Sequence, residues 1–154
     1  MKRLLQKSTV LLLAAVLLCV GFTGCGNKDE ALQDGYYSAE MSDYAHGWKE
    51  FVSICVSNGQ LVTVEYNAKN ESGFIKSWDM NYMRNMESIA GTYPNLYTRT
   101  YAAELLEVGN AEDIDAVTGA STSWITFKQL AAAALDQAVK GDSSKVIVQS
   151  ESEE

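Results

Sequence analysis

Proline appears once in this chain of 154 residues, histidine once and cysteine three times, and 12 basic side chains face 20 acidic ones. Each shortage excludes something. One histidine and three cysteines leave little from which to build a zinc site or a disulfide framework. No Gly-x-Ser-x-Gly, Walker or zinc-ligand spacing is present. The lone His46 has no neighbour that would make it a metal ligand or a triad member, so it reads as an exposed loop residue. A formal net charge of −8 argues against a nucleic-acid partner, because neutralising phosphates takes clustered Lys and Arg. Apolar content, by contrast, is ample. At 47% hydrophobic residues the chain can form a packed domain, and disorder throughout is excluded.

The first 25 residues hold the longest apolar run. Lys2, Arg3 and Lys7 precede an uninterrupted stretch from Val10 to Val20, and Phe22-Thr23-Gly24-Cys25 follows. A mature membrane-spanning helix needs about 20 apolar residues; this shorter run suits the core of a secretory signal over residues 1–24. Small residues ending in cysteine resemble the lipobox of bacterial lipoproteins, whose cysteine takes a diacylglyceryl group and becomes the new N-terminus. The alternatives are an ordinary signal peptide with a chance cysteine, or an uncleaved anchor. Cleavage before Cys25 would leave nine basic and 20 acidic side chains, a net charge of −11, with Cys55 as the sole free thiol. Two or more acyl chains on Cys25 would hold the protein stably at the cell membrane, on its extracytoplasmic face.

The remainder divides into a polar tether over residues 25–33, one domain over 34–141 and an acidic, largely disordered tail over 142–154. Within that tail, Val146-Ile147-Val148 could form a short strand. Val52, Ile54 and Val56 alternate with Ser53 and Cys55, Asn58-Gly59 marks a turn, and Val62, Val64 and Tyr66 alternate again: a hairpin. A two-residue Asn-Gly loop would place Ile54 opposite Thr63 and mix the faces. A three-residue loop over residues 57–59 pairs Ile54 with Val62 and Val52 with Val64, which collects the apolar side chains and is preferred. Cys55 then lies on the opposite face as inert packing.

Three helices follow. Asp79 can cap a segment in which Tyr82 or Met83, Met86 and Ile89 recur at helical spacing, ended by Gly91 and Pro94. Leu96 to Val108 repeats Tyr97, Tyr101 and Leu105, with Gly109 as stop. From Thr122 to Lys140, Trp124, Phe127, Ala131, Ala134, Leu135 and Ala138 share a face, and Gly141 closes the helix. The Met and Tyr stripes read as core. Strands early and helices late predict an α+β fold, a mainly antiparallel sheet with helices packed beside it.

Asp115-Ala116-Val117-Thr118-Gly119-Ala120-Ser121-Thr122-Ser123 leads into the last helix. Two readings stand. Ser121 or Thr122 could simply cap the helix, worth about 1 kcal/mol. Alternatively, unpaired N–H groups, the helix dipole and clustered hydroxyls make a phosphate site, with Gly119 and Ala120 allowing close approach to the backbone.

The string Asp-x-x-Thr-Gly-Ala-Ser resembles the flavinylation motif of the FMN-binding domain family, which includes subunits of sodium-pumping NADH:quinone reductase and of Rnf complexes, and small lipoproteins of extracellular electron transfer. Asp115, Thr118, Gly119 and Ala120 match; Ser121 stands where the usual pattern has Thr, and Thr122 is a second candidate acceptor. The resemblance extends to Asp34-Gly35-Tyr36-Tyr37, Gly47-Trp48-Lys49, Asn58-Gly59, Gly73 to Asp79, Tyr82 and Gly91 to Pro94, over roughly residues 34–141. It implies FMN joined by a phosphoester to the acceptor hydroxyl, delivered from FAD by a separate flavin transferase. It also implies that the chain relays electrons rather than turning over a substrate of its own. Trp78, Tyr82 and Trp124 could stack on the flavin ring, and Lys76 could face its O2/N1 edge or the phosphate. The alternatives are a lipoprotein that binds a flavin, quinone or other small ligand noncovalently, and a surface lipoprotein with no cofactor.

Overall fold

The structure is a computed structural model, and it describes residues 31–150. The signal segment, Cys25 and the last four residues lie outside the described residues. Four strands, β1 (Gly35–Met41), β2 (Lys49–Ser57), β3 (Gln60–Lys69) and β4 (Val146–Val148), form one sheet in the order β3-β2-β1-β4. β1, β2 and β3 are antiparallel, while β4 runs parallel to β1 at the edge. Among the described residues there are three α-helices, α1 (Met80–Ala90), α2 (Pro94–Val108) and α3 (Ser121–Lys140), of which α2 and α3 pack on the sheet. The fold is α+β, as the pattern predicts. The sheet also takes in residues 146–148, so ordered structure continues past Gly141.

One sheet face is covered. Tyr37, Ala39 and Met41 of β1, Val52, Ile54 and Val56 of β2, and Val64 and Tyr66 of β3 are buried beneath α2 and α3. Their two-residue period places every second side chain on the covered face. Helical spacing supplies the opposing layer: Tyr97, Tyr101 and Leu105 from α2, and Phe127, Leu130, Ala131, Ala134 and Ala138 from α3. Small alanines let α3 lie close to β1 and β2. At the centre the Tyr101 and Phe127 rings stack with centroids 5.4 Å apart, and Tyr66 leans on Phe127 at 4.8 Å.

The hairpin register differs from the expected one. Asn58 (φ 54°) and Gly59 (φ 70°) are both left-handed, which is a two-residue turn of the primed kind favoured between twisted strands. A bulge then does what the three-residue loop was expected to do. Cys55 pairs with Thr63 but Val56 with Leu61, leaving Val62 as an extra residue on β3, 49% exposed. Beyond the bulge Ile54 faces Val64 and Val52 faces Tyr66, so the apolar side chains still share one face.

α1 is a second correction. Its boundaries and caps agree with the sequence: Asp79 accepts from the Asn81 and Tyr82 N–H groups, and Gly91 is left-handed. Its stripe, however, is only half-buried, with Met86 packed against the core from outside. No residue of α1 is buried, and Ile89 is 86% exposed.

The chain joins the domain firmly. The Gln33 N–H donates to the Ala138 carbonyl (2.9 Å) and its side-chain amide to that of Val139 (3.1 Å), Leu32 packs on the core, and the Gly59 N–H donates to the Asp34 carboxylate (2.8 Å). The N-terminal junction therefore sits with the hairpin turn and the C-terminal end of α3. The β1–β2 connection and the N-terminus of α3 lie at the opposite end.

Candidate functional site

At that opposite end is a cavity of about 460 Å³, within the ~300–1,000 Å³ usual for small-molecule sites. The β1–β2 connection contributes Ala45, His46 and Trp48, β2 contributes Glu50, and α1 contributes Tyr82 and Met86. Lys76 and Tyr97 line it too. The remaining wall is the turn and first helical residues over 119–123, with Thr126.

The turn is held from several sides. Its Ala120 N–H donates to the Val117 carbonyl (3.0 Å). The Tyr101 hydroxyl, reaching up from α2, donates to the Ala120 carbonyl (3.2 Å) and accepts from the Val117 N–H (3.2 Å). The Tyr66 hydroxyl donates to the Ser123 carbonyl (2.9 Å), and the Trp124 indole N–H to that of Ile114 (2.8 Å). Gly119 has φ +81°, and a Cβ there would stand 2.2 Å from the Ala90 carbonyl oxygen. The close approach at this glycine is made by the chain itself, through the last residue of α1.

Capping by Ser121 or Thr122 does not occur. Ala120 occupies the cap position (φ −127°, ψ 30°) without a side-chain hydrogen bond. Ser121 and Thr122 are exposed at the cavity wall, and among the described residues their hydroxyls have no hydrogen-bond partner. Ser123 points inward instead, donating to the Glu50 carboxylate (3.0 Å). The first residues of this 20-residue helix thus stand at the cavity wall with no side-chain oxygen capping their N–H groups.

Charge reinforces this. Burial works against the Lys76 ammonium, but Tyr97, Tyr82 and Glu50 around it more than offset that and hold it above its ordinary range. Its Nζ lies 4.7 Å from the centre of the Tyr82 ring. Burial pushes the Glu50 carboxyl up, against the pull of Lys76 and the hydrogen bond from Ser123. Trp48 and Tyr82 meet edge to face, with centroids 6.0 Å apart.

Of the residues singled out from sequence, Ser121, Thr122, Gly119, Ala120, Lys76 and Tyr82 come together around this cavity. Asp115 and Thr118 are exposed beside it and do not line it. Trp78 and Trp124 do not line it either. Trp78 is 64% exposed and packs edge-on against Phe74, while Trp124 is drawn down by its bond to Ile114. Trp48, Glu50, Tyr97 and His46, together with Ala45, Met86 and Thr126, are lining residues that sequence reasoning did not place there. Glu50 had a legible signal: it stands two residues before Val52 on the inward-facing phase of β2.

Fold and site define a small α+β domain with a polar-floored cavity at a helix N-terminus. No family model matches the sequence. Over 118 residues the chain is 36% identical to the 15 kDa lipoprotein of Treponema pallidum (strain Nichols), covering 76% of this chain and 84% of that protein. The chain belongs to that family of small bacterial lipoproteins. The crystal structure of the CPE2226 protein from Clostridium perfringens shares the fold, with a TM-score of 0.74 and 34% identity, over 78% of this chain and 99% of that one. Among the described residues, no helix is long and apolar enough to cross a membrane.

Proposed function

We propose that this chain is a flavoprotein anchored to the membrane through lipid on Cys25, carrying FMN by a phosphoester to the Ser121 hydroxyl and relaying electrons outside the cytoplasm. The observation that supports it is the coincidence of motif and cavity. The residue that the flavinylation pattern marks as acceptor stands, with its hydroxyl free, on the wall of a cavity large enough for a small cofactor. The donor set suits FMN. Uncapped N–H groups of α3 and the Lys76 ammonium favour a phosphate, and the Trp48 and Tyr82 rings offer walls for a flat aromatic group. FMN, when bound, supplies exchange of electrons either singly or in pairs. The residues of this chain hold and orient it, and covalent attachment prevents its loss outside the cytoplasm.

The test is mass spectrometry of the tryptic peptide Thr100–Lys128, from native membranes or from protein co-expressed with a flavin transferase. It should gain roughly 440 Da, one FMN less water, and Ser121→Ala should abolish the gain. A gain retained in that variant moves the attachment to another hydroxyl, Thr122 first. A yellow protein that bleaches on denaturation replaces the covalent reading with noncovalent binding, and a colourless one refutes both.

A further inference from the structure

We infer that the anchored protein turns its cavity away from its own membrane, so that the site meets a reactant carried in water rather than a quinone dissolved in the bilayer. This rests on the anchoring at Cys25 proposed above. The argument is one of two ends. The N-terminal junction is fixed beside Ala138 and Val139, at the C-terminal end of α3, by two hydrogen bonds from Gln33. Ser121, Thr122 and the rest of the cavity lie at the other end of the same helix.

From Ala138 back to Ser121 the axis runs ~26 Å at 1.5 Å per residue. Cys25 and the packed Leu32 are seven residues apart, a length of chain that spans at most ~25 Å at full stretch. Laying the cavity end on the bilayer would require all of that length, drawn straight along the side of the domain. Acidity acts in the same direction, because a net charge of −11 in the processed chain is repelled by anionic lipid. Exposed apolar side chains at the cavity end, Trp78 and Met80 among them, are then available to a partner arriving from the aqueous side.

The tryptophans provide the test, because all three report from the cavity end: Trp48 lines it, Trp78 precedes α1, and Trp124 is in the first turn of α3. The full lipidated protein is reconstituted into phosphatidylcholine vesicles with and without brominated acyl chains, and its emission is compared. Emission unchanged by brominated lipid but lowered by aqueous acrylamide is the expected result. An Ala31→Trp variant, which adds a reporter at the junction, should gain a component that brominated lipid does quench. Protein that floats with the vesicles and loses its native tryptophan emission to brominated lipid overturns this inference alone. Protein that does not float with vesicles overturns the anchoring as well.

Discussion

Replacing Gly119 by alanine tests whether the turn ahead of α3 is built around a close backbone contact. The residue is left-handed at φ +81°, and a Cβ would sit 2.2 Å from the Ala90 carbonyl oxygen, with that carbonyl carbon and the Ala90 Cβ each at 3.1 Å. Two costs add. An L-residue in the left-handed region costs roughly 1–2 kcal/mol. Opening the contact by about 1 Å moves backbone on both sides, an overpacking cost of roughly 1–3 kcal/mol. Gly91 separates the two, because it has φ +69° and nothing within 4 Å of its Cβ position. Gly91→Ala therefore carries the first cost alone, and Gly119→Ala both, about 2–5 kcal/mol in total. At ~3–5 °C per kcal/mol for a domain of this size, the extra ~1–3 kcal/mol should make the second variant melt about 3–15 °C below the first. Thermal and urea unfolding of the pair measure the difference. Equal midpoints would mean that the Ala90 carbonyl does not press on the turn, and the account of how the turn is held would fail.

Tyr101→Phe removes the hydroxyl that bridges Ala120 and Val117; it should cost about 1–3 kcal/mol by urea unfolding and speed hydrogen exchange at the Val117 amide. Glu50→Gln should change the pH profile of stability. Because the folded carboxyl sits above its ordinary 4.5, the native state keeps the proton longer than the unfolded chain, so wild-type stability falls as pH rises from about 4.5 through the raised value. The variant should lack that fall and gain on the wild type across the window; parallel profiles would refute the assignment.

The helix boundaries were legible because caps act locally. Asp79 and the glycines at 91, 109 and 141 each do in the structure what their residue type permits. The hairpin shows where that legibility stops. Apolar alternation fixed which faces had to coincide, but two devices satisfy it, a longer loop or a bulge. Choosing between them depends on Val62 tolerating solvent, which no local pattern states. α1 failed differently. Its Met and Tyr spacing is that of a buried stripe, yet the face it marks is only half-buried, because Tyr82 and Met86 line the cavity and Met86 alone reaches the core. Trp78 and Trp124 misled for a related reason: ring size suggests stacking, while their direction is set by Phe74 and the Ile114 carbonyl.

The cap position of α3 joins these observations. A helix opening with Ser, Thr and Ser could have used any of them as its cap, and leaving Ala120 there forgoes about 0.5–2 kcal/mol. The turn is held from outside the helix instead, by the Tyr101 and Tyr66 hydroxyls donating to the Ala120 and Ser123 carbonyls and by the packing of Gly119 on Ala90, none of which pairs the first N–H groups. None of these supports uses an oxygen of the helix's own first residues except the backbone carbonyls. The polar side chains of the first turn are accordingly divided: Ser123 is committed inward to Glu50, and Ser121 and Thr122 stay uncommitted on the wall of the cavity that Lys76 also lines. A junction selected for helix stability alone would have no reason for that division. One that must keep a hydroxyl available beside an anion-favouring helix end requires it, because a hydroxyl serving as the cap would occupy the same N–H groups the anion needs.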